Sequence, residues 1–567
     1  MKSFKPWYII NKERFQREVE LLAKSEFNFV LDQVQKEDYQ RIVFNGEIEV
    51  KGEKYPLKIV YPPSFPFFRI DIISPKTSFH RHQNWKSKNL CLLPHGQDGW
   101  EQDTTGLDMV YQAKNLIEDS LEGPQIIAEK EVDAPEPWST YLSFSELNLL
   151  IPDGLPNTIP TGSYGEFRVR IINNNTLFLD FMVNEQPIHK EYYQFREIPI
   201  FLESIAKQRQ IKGIWVKVST IPPSQDIKGM LSWLIKQVPE SQPKLLKSFS
   251  LKKSKDNFEL LSIIFPEENN TRGNFKDSWL TGFIKNNNII RPHYLDPTLW
   301  FERNPSLKNL MKKKVMVLGL GSLGSSIALE LSKAGIGSLF IVDRDTVEIG
   351  NLVRHVANIN YLGRTKVEAV ARIVSQQNPF IQVEGMIASI GMINDYSLTK
   401  KDIMADLFQY MKSCDLILDM MADEGVTHIV NEMAVDLEIP VIHAWISNGA
   451  WGGRIIRTIP NKTGCYYCLC LNGVEEISNN TSEKGIFPRG CGFPTFTGAS
   501  FDIQSIVSAT TRFSVQTLLE GSDYQNPEYD HIIIDNNGTP INNYPAVRTF
   551  KVERNITCPI CGGNYGG

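Results

Sequence analysis

The segment that most constrains this chain is Lys314-Val315-Met316-Val317-Leu318, which runs without a break into Gly319-Leu320-Gly321-Ser322-Leu323-Gly324. An unalternating apolar run predicts a strand buried on both faces, the situation of a parallel sheet covered by helices. Glycines at this spacing let the backbone turn tightly, approach a phosphate and present helix N-terminal amides with a favourable dipole. Ser325 to Ala334 continues as a helix. A second strand, Leu339-Phe340-Ile341-Val342-Asp343, ends in an acid about 20 residues on, the usual place for a carboxylate that grips a ribose hydroxyl. Together these predict a nucleotide-binding βαβ unit.

The residues downstream bear on which nucleotide. A nicotinamide dinucleotide needs little positive charge beyond its pyrophosphate, yet Asp343-Arg344-Asp345 leads into Asn351-x-x-Arg354 and then Lys366. Asn, Arg and Lys suit a triphosphate. Another apolar strand, Asp415-Leu416-Ile417-Leu418-Asp419, ends in an acid that could hold magnesium, which prefers carboxylate and phosphate oxygens. Taken singly, Arg354 or Lys366 would be an ordinary solvated charge. Their order after a glycine turn gives them meaning.

Eight cysteines are too few for a disulfide scaffold in 567 residues, and they are unevenly placed. Cys465-x-x-Cys468 and Cys558-x-x-Cys561 are paired knuckles that can share one tetrahedral zinc, clasping the C-terminal end back across about 90 residues. Cys470 reads as a bystander. Cys491 lies beside Arg489, just before a helix expected from about Gly498, and both neighbours could lower a thiol pKa.

A chain of 567 residues is expected to hold two to four domains. Sixty Lys and Arg against 65 Asp and Glu give a net charge of -5, which provides no global field for nucleic acid or an anionic membrane. With no apolar run of about 20 residues and no signal-peptide core after Met1, the expected location is cytoplasmic. From Asn11 to Gly123 a helical stretch precedes strands at Arg41–Phe44 and Tyr55–Val60 and a closing helix from Leu107 to Leu121. The proline-rich, acidic segment Gly123 to Gly154 reads as a connection. From Pro156 to Pro292, strand-like runs such as Phe167–Ile172 and Thr176–Phe181 alternate with polar turns and carry no catalytic constellation.

Gly319-x-Gly321-x-x-Gly324, Asp343-x-Asp345, Asn351-x-x-Arg354, Lys366 and Asp419 resemble the adenylation domain of the ubiquitin-activating, ThiF and MoeB superfamily, over about Asn304 to Gly567. The resemblance implies a Rossmann-like domain with a zinc knuckle that adenylates a protein C-terminus with MgATP. By position, Asp343 would bind ribose, Asn351, Arg354 and Lys366 the phosphates, and Asp419 the metal and the reacting carboxylate. Asp419 and Arg354 are thus catalytic candidates, and Arg303 would be the arginine that this family lends across a homodimer. Cys491 would be the thioester cysteine of the crossover loop.

The N-terminal region resembles a ubiquitin-conjugating enzyme: Tyr61-Pro62-Pro63-Ser64-Phe65-Pro66, then His80 to Asn84, then Cys91 and Trp100. Cys91 would be its thioester nucleophile. The family's His-Pro-Asn is here His82-Gln83-Asn84, which leaves open whether His82 or Asn84 serves the oxyanion. The expected architecture is a multidomain α/β chain: residues 1–140 an α+β conjugating-like domain, 141–300 an α+β linker domain and 301–567 the adenylation domain. Such a fusion resembles bacterial CBASS transferases that act on cGAS-like nucleotidyltransferases in anti-phage defence. It implies ATP, Mg2+ and Zn2+, adenylation, transfer to Cys491, transthiolation to Cys91 and delivery to an amine on a target. Two alternatives stay open: activation of a sulfur carrier for cofactor biosynthesis, and a recruitment module with an inactive conjugating domain.

Overall fold

A computed structural model describes residues 5–77, 79, 82–84, 87–93, 100–121, 147–152, 159–185, 190–194, 210–220, 227–237, 258–269, 271–285, 288–391, 403–447, 450, 452–473, 497–536 and 546–562. Cys491 and its Pro488–Pro494 surroundings, together with most of the acidic connection, lie outside the described residues. The chain divides into two compact units, with the break along the sequence at Tyr294/Leu295.

The first unit holds two sheets. Strands β1 (Val30–Leu31), β2 (Val43–Val50), β3 (Glu53–Val60) and β4 (Asp71–Ile73) form an antiparallel meander in that order. Lys51 and Gly52, both with positive φ, make the two-residue turn whose twist matches its flanking strands. Phe44, Ile48 and Val50 of β2 and Tyr55, Leu57 and Ile59 of β3 alternate into one core. Leu22 of the Lys12–Lys24 helix and Met109, Val110, Ala113 and Ile117 of the Gly106–Leu121 helix complete it.

Glu18 is buried in this apolar setting. Its carboxylate pairs with Arg14 at 2.9 Å and accepts from the Tyr61 hydroxyl at 2.6 Å and from the Gly106 amide at 2.8 Å. One charge therefore ties the first helix to the sheet and to the start of the last helix, where the helix dipole favours an anion. Burial beside Glu18 pushes the Tyr61 hydroxyl well above its ordinary pKa, so it remains a donor.

The second sheet of this unit comprises β5 (Asn148–Pro152), β6 (Tyr164–Asn173), β7 (Thr176–Glu185), β8 (Lys190–Gln194), β9 (Gln210–Lys217), β10 (Leu260–Asn269), β11 (Thr271–Phe283) and β12 (Ile289–Leu295). The order β5-β12-β11-β10-β9-β6-β7, with β5 also paired to β7, closes seven strands into a ring; β8 pairs with the far half of β7. Phe167, Trp215, Leu260, Ile264 and Trp279 fill one face. Ile214, Val216, Leu261, Ile263 and Phe265 face the other way, onto Met230 and Leu234 of the Ile227–Gln237 helix. The expected α+β linker is thus, among the described residues, a closed sheet with one helix. Its parallel pairs join strands distant in sequence, which local alternation does not reveal.

The second unit is built on β13 (Lys314–Leu318), β14 (Ser338–Val342), β15 (Gln382–Met386), β16 (Leu416–Asp419), β17 (Val441–Ile446), β18 (Gly452–Thr458), β19 (His531–Asp535) and β20 (Ala546–Phe550). Its order is β15-β14-β13-β16-β17-β18-β19-β20, parallel through β17 and antiparallel beyond. Val315 and Val317 pack with the Ser322–Ala334, Lys366–Gln377 and Ser500–Leu518 helices. Met316 and Leu318 pack with Ile403–Met411 and Glu424–Asp436. Both faces are covered, which accounts for the missing polar alternation in β13. Because the chain leaves β13 toward β14 on one side and returns as β16 on the other, a crevice opens at their C-terminal ends.

Replacing Glu18 by Ala strands Arg14 and the Gly106 amide, a loss of about 3 kcal/mol for breaking a buried pair. Hydrogen exchange on the full chain should show protection of the Gly106–Leu121 helix falling by about 100-fold. Unchanged protection would show that the network is not structural.

Candidate nucleotide site, cysteine cluster and Cys91

The three glycines of the turn have different reasons to be glycine. Gly319 has φ +84, a left-handed conformation that resists side chains. A Cβ on Gly324 would overlap the Gly319 carbonyl oxygen, so helix and turn can approach only without one. At Gly321, the N-cap of the Ser322–Ala334 helix, nothing lies within 4 Å of the place a Cβ would take, and the residue opens onto a cavity. Gly321 therefore keeps space for a ligand, while the other two keep the backbone together.

That cavity, about 230 Å³, lies at the C-terminal ends of β13, β16 and β17 and is lined by Gly321, Asn351, Arg354, Lys366, Met420–Ala422 and Trp445, among others. Among the described residues none of its lining is acidic. Two cations and a helix N-terminus facing an acid-free space favour a polyanion. The structure thus brings together Gly321, Asn351, Arg354 and Lys366 of the expected set.

The acids are absent from the lining but support it. Asp343, buried at the end of β14, accepts from the Leu320 amide at 2.6 Å and the Asp345 amide at 2.8 Å. It therefore clamps the glycine turn, and any ribose contact would use its remaining lone pairs. Asp345 in turn pairs with Lys366 Nζ at 2.8 Å, holding that buried lysine in place. Asn351 Oδ1 accepts from the Glu348 amide at 2.9 Å and fixes the turn that presents Arg354.

Asp419 departs from its expected role as an open metal ligand. It is 2% exposed and does not line the cavity. Oδ2 accepts from the Thr427 hydroxyl at 2.7 Å and His443 Nδ1 at 2.9 Å, and Oδ1 accepts from the Met421 amide at 3.1 Å. The carboxylate anchors the loop that forms the cavity wall. Asp423, the N-cap of the Glu424–Asp436 helix, is an exposed acid next to the wall residue Ala422, and its Oδ1 accepts from the Val426 amide. Arg303 is exposed between two 3-10 turns, Pro297–Phe301 and Pro305–Lys312.

His355 is a site residue that the sequence pattern does not single out, although it directly follows Arg354. Its Nδ1 accepts from the Ala357 amide and its Nε2 donates to the Leu320 carbonyl, both at 2.9 Å, so the ring props the glycine turn from below. Burial lowers its pKa to about 4.

The four sulfurs of Cys465, Cys468, Cys558 and Cys561 lie within 4.8 Å of one another, at 3.2 to 3.9 Å along the closest pairs. Four thiolates at about 2.3 Å around a tetrahedral zinc would stand about 3.75 Å apart, so the donor set and spacing fit that metal. A surrounding shell is also present. The Asn555 amide donates to Cys468 Sγ at 3.3 Å, and Asn431 Oδ1 accepts from the Tyr466 amide at 3.0 Å. Cys470 is exposed outside the cluster.

In the first unit, Gln83 bridges Leu90, and the Cys91 amide donates to the His82 carbonyl at 2.6 Å, placing His82 opposite Cys91. Asn84 Oδ1 accepts from the Ser87 amide at 2.9 Å, in the turn that returns the chain to Cys91. Gln83 stands where the resemblance expects a proline. Its buried amide donates to Thr77 O at 3.0 Å and accepts from the Phe79 amide at 2.9 Å, stitching the segment through a side chain that proline lacks. His80 lies outside the described residues.

Residues 297–529 match the ThiF family. The chain is 24% identical to the uncharacterized protein y4oA of Sinorhizobium fredii over 557 residues, 90% of each chain. It is 32% identical to the adenylyltransferase and sulfurtransferase UBA4 of Yarrowia lipolytica over 256 residues, 45% of this chain and 57% of that one. It is 26% identical to the sulfur carrier protein ThiS adenylyltransferase of Escherichia coli over 259 residues, 45% of this chain and 89% of that one. Apart from y4oA, the chain spans about half the length of the first curated relatives it matches. It carries a ThiF/MoeB-type adenylation domain fused to another domain. Among the described residues no helix is long and apolar enough to cross a membrane.

The His355 pKa fixes the sign of a pH effect. With the folded value near 4 against 6.5 unfolded, the neutral ring's contribution is fully present above pH 6.5 and is lost as pH falls toward 4. His355→Gln keeps a donor for Leu320 without titrating. Between pH 7 and pH 4.5 the wild type should lose more stability to urea than this variant, by about 2–3 kcal/mol; parallel losses would refute the buried neutral imidazole.

Proposed function

We propose that the second unit uses ATP to adenylate the C-terminal carboxylate of a protein. The acid-free, cation-lined cavity at Gly321 carries this reading, because a carboxylate attacking a triphosphate gathers anions that Arg354, Lys366 and the helix amides would neutralise. A carboxylate oxygen forms a bond to the α-phosphorus and pyrophosphate leaves, giving an acyl-adenylate. No protein base is needed, since the nucleophile is already an anion. Magnesium would supply further charge neutralisation on the phosphates, with Asp423 as the exposed carboxylate beside the wall.

The named relatives weigh toward a sulfur carrier as the activated protein. The first unit favours a second reading. Beside a helix, a four-stranded meander and a closing helix, Cys91 follows an isolated bridge with its amide on the His82 carbonyl, the arrangement expected for a conjugating enzyme. On that reading the Cys491 thiolate attacks the acyl carbon and AMP leaves. The Cys91 thiolate then displaces Cys491, and a target amine finally displaces Cys91, each step exchanging one acyl bond for another. Two stations on one chain raise the effective concentration for the second step. Activation of a cGAS-like nucleotidyltransferase in anti-phage defence, cytoplasmic location and homodimerisation with Arg303 lent between subunits belong to this second reading.

Pyrophosphate exchange and non-reducing gels with MgATP and candidate carrier proteins bearing a free C-terminal glycine test both. Exchange should fall roughly 100-fold in Lys366→Ala. A sulfur-carrier enzyme should show exchange without an adduct on Cys91. A conjugating enzyme should show a reductant-sensitive adduct lost in Cys491→Ala and halted at the first thioester in Cys91→Ala. Preference for NAD over MgATP would overturn adenylation.

A further inference from the structure

His443 lies in β17 opposite Asp419 of β16 and is 0% exposed. Its Nδ1 donates to Asp419, while Nε2 has no partner among the described residues. A buried orphan of this kind is costly, so an apolar residue would serve better if packing were its whole task. The ring meets that of Tyr466, 5.6 Å away between centroids.

Tyr466 directly follows Cys465 and opens the Tyr466–Leu471 helix that carries Cys468. Its ring also stands edge-on to Trp445 at 6.1 Å, and Trp445 lines the cavity. Beyond His443, Asp419 holds the Met421 amide, and Met421 and Ala422 line the same cavity. Ala422 has φ +53, a left-handed conformation that a residue with a Cβ keeps only where its surroundings enforce it. An aromatic residue of the cysteine cluster thus touches both the imidazole that secures the strained wall and the indole of that wall.

We infer that His443 is a positioning residue through which the zinc clasp sets the nucleotide-cavity wall, so that metal occupancy tightens MgATP binding. The inference rests on the reading of the cavity as an ATP site. Cys465 and Cys468 would be held by zinc and Asn431 accepts from the Tyr466 amide, so the backbone that sets the Tyr466 ring beside His443 would be pinned on both sides. Without the metal the four sulfurs lose their common centre and the short helix is freed to shift. The ring then no longer confines the imidazole, Asp419 can rotate away from Met421, and Ala422 relaxes.

The test measures MgATP dissociation constants and zinc content on the full chain, as purified and after chelation. His443→Leu should weaken MgATP about tenfold with zinc retained, the scale typical of partners behind a ligand. His443→Asn, whose amide can still donate to Asp419 but which offers Tyr466 no ring, should bind MgATP more tightly than His443→Leu and should lose the response to chelation. Chelation should weaken wild type by a similar factor and add little to His443→Leu, the non-additivity expected of residues on one path. Tyr466→Leu, which keeps all four thiols, should reproduce the chelated state without a chelator. Equal effects of chelation in both backgrounds, or wild-type affinity unchanged after zinc loss, would overturn the coupling while leaving the ATP reading intact. Zinc-loaded wild type that binds no MgATP would overturn the ATP reading and the coupling with it.

Discussion

The second unit depends on a place where two pieces of backbone meet with no side chain between them. Gly324 sits against the Gly319 carbonyl, and that approach brings the Ser322–Ala334 helix onto the end of β13. Such a turn is intrinsically floppy, because glycine surrenders more conformational freedom on folding than any other residue. The structure compensates from two directions. Asp343 takes the Leu320 amide from the β14 side, and His355 takes the Leu320 carbonyl. One peptide neighbourhood is gripped by donor and acceptor at once, which leaves Gly321 held in position yet open toward the cavity.

What could be read from the sequence follows from how local each signal is. The β13 strand, the glycine turn and the paired Cys-x-x-Cys motifs announce themselves within a few residues, and the folded structure places them as chemistry requires. Asp343 and Lys366 stand out in the sequence as candidates but their partners do not, since Leu320 and Asp345 meet them through turns. Asp419 was legible only as an acid at a strand end. Its engagement depends on Thr427 and His443, and β17 pairs with β16 only through the tertiary fold. The closed sheet of the first unit was illegible for the same reason, because β5 finds β7 and β12 across long separations.

Around Cys91 the departure from the expected tripeptide is a difference of means. Proline would stiffen the segment by fixing one backbone angle. Gln83 fixes it instead by spreading one amide over neighbouring backbone groups, and His82 adopts φ +54 as the chain turns toward Cys91. Rigidity is kept while the side chains on either side remain free to differ. Asn84 spends its oxygen on the Ser87 amide. Within this segment His82, whose carbonyl takes the Cys91 amide, is the one of the two candidates placed directly opposite the thiol-bearing residue.

The cavity shows a consistent division of labour among charged groups. Asp343 and Asp419 are spent on backbone amides and buried side chains, and Asp345, though exposed, pairs with Lys366 and is not among the cavity's lining residues. A wall so arranged offers a polyanion cations without presenting it with carboxylates, which would otherwise repel it at short range. Lys366 gains most from this, since its ammonium is buried and would be costly unpaired. Asp345 holds its Nζ in place at 2.8 Å. On the proposed ATP reading, a phosphate would meet a preorganised cation, and little reorganisation would remain for the step in which charge accumulates.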